Sequence, residues 1–313
     1  MPRTIDSPIR RVAVIGAGTI GASWAAYFLA KGLDVTVSDP QPAARDLTAR
    51  MIETAWPILR ETGATAVEKP AAWRFEADPI KAVQGADFIQ ENGPERYEVK
   101  QPLFKALDAA LPPETVIASS SSGLLISRLA EGLRYPERCV IGHPFNPPHL
   151  IPLVEVVGGA HASEAVIQAA MSFYRAIGKR PIRINKEVPG HVANRLQAAL
   201  LREAIHMVAE GVASVVDVDA AISEGPGLRW ALMGPYATFN LGGGEGGMRH
   251  FFEHIGPAIE AWWADMGNPT LTTDLVEKII ASIEDEIKGQ SIRELAAKRD
   301  AALVRVLRAK QGQ

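Results

Sequence analysis

Two titratable residues stand twelve apart in a largely apolar stretch. They are His143, within Cys139-Val140-Ile141-Gly142-His143-Pro144-Phe145-Asn146-Pro147-Pro148, and Glu155, within Leu153-Val154-Glu155-Val156-Val157. A carboxylate among such neighbours carries a heavy desolvation cost and needs a partner, for which His143 is a plausible choice. An imidazole titrates near neutrality, so the pair could move a proton. A run of hydroxyls, Ser119-Ser120-Ser121-Ser122-Gly123, is a third unusual feature. The fourth is Gly16-Ala17-Gly18-Thr19-Ile20-Gly21, directly after an apolar run at 12–15. In this spacing Gly16 permits a tight turn and Gly18 lets a pyrophosphate approach the backbone, while Gly21 lets a helix pack on a strand. Asp39 follows Gly21 by eighteen residues, just past a second apolar run at 35–37. A carboxylate there accepts both hydroxyls of a ribose and repels a 2′-phosphate, which selects NAD over NADP.

These residues need a scaffold that gathers them at one edge. Short apolar runs at 12–15, 35–37, 87–89, 116–118, 140–141, 153–157 and 181–184 read as strands. Helical patterns at 19–31, 42–61, 97–110, 127–132 and 164–177 lie between them. Strands alternating with helices imply a doubly wound, parallel Rossmann-type sheet, which binds ligands at the carboxyl ends of its strands. The serine run follows one strand, and the loop carrying His143 follows another, so both are expected at that edge. Beyond Val188, which precedes Pro189 and so disfavours helix, the pattern changes. Helices are expected at 192–210, 216–223, 271–287 and 292–310. The expected domains are an NAD-binding unit at 1–187 and a smaller, all-helical unit at 188–313.

The bulk composition narrows the function classes. The chain of 313 residues has a formal net charge of −3, so no global basic field draws it to nucleic acid or anionic membrane. Seven histidines with a single cysteine exclude an intrachain disulfide and a cysteine-rich zinc site, and no metal is expected. The stretch 1–11 is polar with two prolines, unlike a signal peptide, and no apolar run approaches a membrane span. A cytoplasmic enzyme acting on a small molecule is the expectation.

The sequence resembles the 3-hydroxyacyl-CoA dehydrogenase family over nearly its whole length. The resemblance rests on the glycine motif, Glu91-Asn92-Gly93-Pro94-Glu95-Arg96-Tyr97-Glu98-Val99-Lys100, the serine run, the His143 and Glu155 segments, and Pro189-Gly190-His191-Val192-Ala193-Asn194-Arg195-Leu196. It implies that His143 is the catalytic base, that Glu155 orients it, and that Ser122 and Asn194 hydrogen-bond near the reacting oxygen. It also implies that Glu95, Lys100, Ser122 and Asn146 contact NAD, and that the helical domain forms a homodimer and covers the cleft. Two positions where the family holds coenzyme A with Ser and Lys carry Ala55 and Thr62 here.

The segments Glu224-Gly225-Pro226-Gly227-Leu228-Arg229-Trp230 and Gly242-Gly243-Gly244-Glu245-Gly246-Gly247-Met248-Arg249 are similar to a branch acting on free hydroxy acids. That branch contains the L-carnitine and λ-crystallin-like L-gulonate dehydrogenases. Arg229, Trp230, Arg195 and Arg249 are the candidates for holding substrate. The expected reaction is NAD-dependent oxidation of a free L-3-hydroxy acid, carnitine first and gulonate next. A 3-hydroxybutyryl-CoA-type dehydrogenase and a non-catalytic, crystallin-like NAD-binding protein are the alternatives.

Overall fold

The structure of the protein, a computed structural model, describes residues 8–311. Strand β1 (Arg11–Ile15) sends alternate side chains to opposite faces of a sheet. Val12 and Val14 join one buried cluster, Ala13 and Ile15 another. With both faces apolar the strand has no solvent side, as in sheets covered by helices front and back. Strands β2 (Asp34–Ser38), β3 (Arg74–Glu76), β4 (Phe88–Glu91), β5 (Val116–Ser119), β6 (Cys139–Pro144), β7 (Leu153–Gly158) and β8 (Arg180–Ile184) complete the sheet. Its eight strands run in the order β3-β2-β1-β4-β5-β6-β7-β8. The helices between them are α1 (Thr19–Ala30), α2 (Ala43–Glu61), α3 (Pro79–Ala82), α4 (Tyr97–Ala110), α5 (Ile126–Leu129) and α6 (Glu164–Ala176). Because β1 pairs with both β2 and β4, the chain order switches direction beside the glycine motif, where such sheets open a ligand crevice.

The sheet departs from the wholly parallel expectation in one place. β7 runs antiparallel to β6, with His143 opposite Glu155. The connection at 145–152 is too short for the crossover that a parallel pair needs. The sixth strand also continues through Gly142, His143 and Pro144 rather than stopping near Ile141. His143 therefore stands in the sheet, not on a loop beyond it. β3 and α3 were not among the expected elements, since three or four residues carry too little periodicity to register.

The chain divides into a first compact unit ending at Asn194 and a second beginning at Arg195. Residues 191–194 hydrogen-bond back to the first unit. α7 (Ala193–Ala209) spans the division. The second unit is helical: α8 (Val215–Ser223), α9 (Pro226–Trp230), α10 (Pro235–Gly242), α11 (Gly247–Asp265), α12 (Thr273–Ile287) and α13 (Ile292–Gln311). α9, α10 and all of α11 were not among the expected helices: the glycines between 225 and 247 read as loop, and Gly256-Pro257 interrupts the pattern inside α11. Among the described residues no helix is long and apolar enough to cross a membrane. Residues 1–7 of the polar N-terminal stretch lie outside the described residues.

Candidate active site

The glycine motif works by contact geometry. Gly16 has a φ of +91°, and a Cβ there would come 2.7 Å from the Asn92 carbonyl carbon. A Cβ on Gly21 would lie 1.8 Å from the Gly16 oxygen, so strand and helix can meet only on glycine. Gly18 is different: a Cβ would meet nothing within 4 Å. It is the N-cap of α1 and brings no side-chain cap, so the first-turn amides stay available to an anion. Asp39 closes the loop from the other side. Its Oδ2 accepts from the Ala17 amide at 2.9 Å and its Oδ1 from the Gln41 amide at 2.9 Å. An open cradle at Gly18, uncapped amides and a fixed carboxylate beside them fit the pyrophosphate and ribose of NAD.

At the end of β4 the fully buried Glu91 accepts from both directions of a compact network. Lys100 Nζ donates to Oε1 and Oε2 at 2.7 Å each, Ser119 Oγ to Oε2 at 2.6 Å and the Gly93 amide to Oε1 at 2.6 Å. Lys100 was expected to contact the cofactor directly. Instead its side chain is 1% exposed and its ammonium is engaged by Glu91. A lysine this deep needs its charge matched, and α4 folds back over β4 far enough to match it. Its observed work is to lock the turn that carries Gly93, Pro94 and Glu95.

Glu95 holds the serine turn. Its Oε1 accepts from Ser121 Oγ at 2.6 Å and from the Ser122 and Gly123 amides at 2.9 Å each. Partial burial pushes its carboxyl upward, but the Ser121 hydroxyl, these amides and the Lys100 charge outweigh that and hold it below the ordinary carboxylate value. Ser122 itself is exposed. Its carbonyl accepts from Asn194 Nδ2 at 3.3 Å, which joins the two residues expected near the reacting oxygen.

His143 Nδ1 and Glu155 Oε2 are 2.9 Å apart across the β6–β7 register. Glu155 is fully buried and His143 nearly so. The other oxygen, Oε1, accepts from the Val192 amide at 3.0 Å and the Ala193 amide at 2.9 Å. Burial alone would push Glu155 upward; the His143 N–H and the two amides prevail and hold it below the ordinary value. An ionised carboxylate at Nδ1 places the imidazole proton there and leaves Nε2 as a lone pair. The Phe145 ring meets the imidazole edge-on, with centroids 5.0 Å apart. Asn146 is exposed beyond it, before a cis bond to Pro147.

The remaining candidates lie in the second unit: Arg195 on α7, Arg229 and Trp230 on α9, Arg249 on α11, all exposed. Trp230 and Tyr236 are 38% and 79% exposed, whereas Phe239, 40% exposed, stacks on the buried Phe251 with ring centroids 4.8 Å apart and so packs within that unit. The Glu91–Lys100 pair and the contact of His191 with Ser121 were not legible in the sequence. A carboxylate two residues past the 87–89 run and a lysine nine residues on were the available signal for the first.

Comparison with known proteins places these features in context. A model of the 3-hydroxyacyl-CoA dehydrogenase NAD-binding domain matches residues 11–188, and one of that family's C-terminal domain matches 190–290. An L-carnitine dehydrogenase of Streptomyces coelicolor is 48% identical over 306 residues, covering 98% of this chain and 96% of its own. A second, of Streptomyces griseus, is 48% identical over 301 residues, covering 96% and 90%. Among solved structures, an NAD-dependent 5-formyl-3-hydroxy-2-methylpyridine 4-carboxylic acid 5-dehydrogenase is 31% identical with a TM-score of 0.84, covering 98% of this chain and 100% of its own.

Proposed function

Because the chain belongs to the 3-hydroxyacyl-CoA dehydrogenase family and is an NAD-dependent dehydrogenase, we propose that it oxidises the 3-hydroxyl of L-carnitine. The observation that carries this is the near-complete alignment with L-carnitine dehydrogenases at 48% identity, around an intact His143–Glu155 pair. NAD, when bound, supplies the hydride acceptor.

The chain's own residues do the rest. Nε2 of His143 takes the hydroxyl proton, and Glu155 keeps the ring in the Nδ1–H form and stabilises the imidazolium that results. Ser122 and Asn194 steady the oxygen as it becomes a carbonyl. Glu95 keeps Ser122 in place, Asn146 contacts the cofactor, and Gly16, Gly18, Gly21 and Asp39 seat its phosphates and ribose. Carnitine carries a carboxylate and a quaternary ammonium. We assign the carboxylate to Arg229, with Arg195 and Arg249 as the other candidates, and the ammonium to Trp230 through its ring face.

A thioester of coenzyme A suits the chain less well. Ala55 is 1% exposed and cannot hold a phosphate, and the hydroxyl of Thr62 donates to the Ile58 carbonyl at 3.0 Å. A homodimer formed through residues after 190 and a reducing, cytoplasmic setting complete the reading; the single cysteine, Cys139, is buried and free. Steady-state assays with NAD on L-carnitine, L-gulonate and L-3-hydroxybutyryl-CoA test it. The highest kcat/KM is expected for carnitine. Turnover of the thioester alone would overturn the free-acid reading.

A further inference from the structure

Residues 191–194 each contribute one kind of bond to the site. His191 Nε2 lies 3.0 Å from the Ser121 carbonyl, and Asn194 Nδ2 donates to the Ser122 carbonyl at 3.3 Å. Between them, the Val192 and Ala193 amides donate to Glu155 Oε1 at 3.0 and 2.9 Å. One short segment thus braces both the serine turn and the carboxylate behind His143. Its shape depends on two successive left-handed residues, Gly190 with φ 76° and His191 with φ 52°. The His191 amide donates back to the Val188 carbonyl at 3.1 Å and closes the turn. Glycine adopts such angles freely, but a histidine does so at a cost and stays only where its surroundings hold it.

We propose that His191 is a positioning residue for the proton-transfer pair, holding the brace that aims Glu155 at His143 and fixes the Ser121–Ser122 turn. This rests on the dehydrogenase reading above. The ring is 1% exposed and anchored by its bond to Ser121. A carbonyl acceptor at Nε2 puts the proton on that nitrogen. Nδ1 is then a buried lone pair with no hydrogen-bond partner among the described residues, an arrangement that suits only the neutral ring. Burial lowers the pKa of this imidazole and so keeps it neutral, against the opposing pull of the Ser121 carbonyl. Neutrality matters here because the two imidazole centroids are 5.4 Å apart, and a second cation would oppose the one that forms on His143. Without the anchor the turn can relax towards the ordinary right-handed region and swing the Val192 and Ala193 amides away from Glu155. Glu155 would keep only its bond to His143, and Oε2 would lose its fixed aim.

The test uses the full chain with His191→Leu, His191→Gln and His191→Gly. Leucine keeps the bulk and removes the donor; glutamine restores an N–H of similar reach; glycine keeps the left-handed turn without the ring. For His191→Leu, kcat on L-carnitine should fall about three- to tenfold, the range set by one neutral hydrogen bond, with KM and NAD affinity within about twofold of wild type. Glutamine should recover most of that loss, and glycine should lie between. Nitrogen NMR of the His143 ring gives a second readout that needs no substrate. Wild type should show one tautomer, protonated at Nδ1, and His191→Leu a mixture. Unchanged kcat and an unchanged tautomer in His191→Leu would overturn the proposal, as would a glutamine variant no better than leucine. If leucine prevents folding, the glycine–glutamine comparison decides by the same readouts. If wild type turns over no hydroxy acid, the substrate reading fails while the His143 tautomer still decides the role of His191.

Discussion

The His143–Glu155 contact is both the proposed proton-transfer pair and a folding constraint. For His143→Gln, NAD affinity should stay near normal while turnover drops by roughly 10²–10⁴-fold, the usual range for a general acid–base. Titration calorimetry with NAD beside steady-state kinetics checks both halves; near-normal turnover would remove His143 from the mechanism. Glu155 gives a pH prediction. Its folded pKa lies below the ordinary 4.5, so its contribution to stability is complete above that value and is lost as pH falls through the folded one. Wild-type melting temperature should therefore drop on acidification below about pH 4.5, and Glu155→Gln should show a shallower decline. Equal slopes for the two proteins would contradict this assignment. Glu155 was legible in the sequence because a carboxylate amid valines has few affordable environments. The Lys100–Glu91 pairing was not legible, because nothing in the sequence around Lys100 reveals that Glu91 lies across from it.

At the level of elements, the strand–glycine loop–helix passage separates two roles that the motif alone merges. Gly21 is a packing glycine: with 1.8 Å from its would-be Cβ to the Gly16 oxygen, Gly21→Ala must displace β1 from α1. Gly18 has open space where a Cβ would go, which suits its proposed role of letting the pyrophosphate approach. Gly18→Ala should therefore leave the melting temperature of the NAD-free protein within about 1 °C, since surface changes away from packing cost little, yet weaken NAD clearly. Gly21→Ala should lower the melting temperature sharply or prevent folding. Thermal unfolding with and without NAD separates the cases, and equal effects at both positions would refute the division of labour. The antiparallel β6–β7 pair is the other decisive element. It sets two residues twelve apart directly opposite each other, which a parallel crossover could not do over so short a connection.

For the whole molecule, the distribution of apolar surface matters most. Of the large, exposed hydrophobic side chains among the described residues, only Leu47, Val67 and Val192 precede residue 195; the rest, Leu228, Trp262 and Trp263 among them, belong to the second unit. That unit buries few side chains of its own, Val208, Phe251 and Val304 being the apolar ones. Helices with so much uncovered apolar face call for a partner surface. Light scattering at micromolar concentration should give about twice the chain mass of 33.7 kDa, the smallest closed assembly for a homo-oligomer. A stable monomer would argue against association through these helices.

The sheet-and-helix alternation, the glycine loop and the need of Glu155 for a partner such as His143 were all readable from the chain alone. Each of these is encoded locally: periodicity over a few residues, three glycines at fixed offsets, a charge where charge is costly. Tertiary structure decided which groups meet. It turned β7 antiparallel, drew His143 into the sheet, paired Lys100 with the buried Glu91 and brought residues 191–194 back onto Ser121, Ser122 and Glu155. Those contacts join positions up to seventy-two residues apart, and no local pattern carries their geometry. Pairing over such separations depends on how every intervening element packs, so it exists only once the chain has folded.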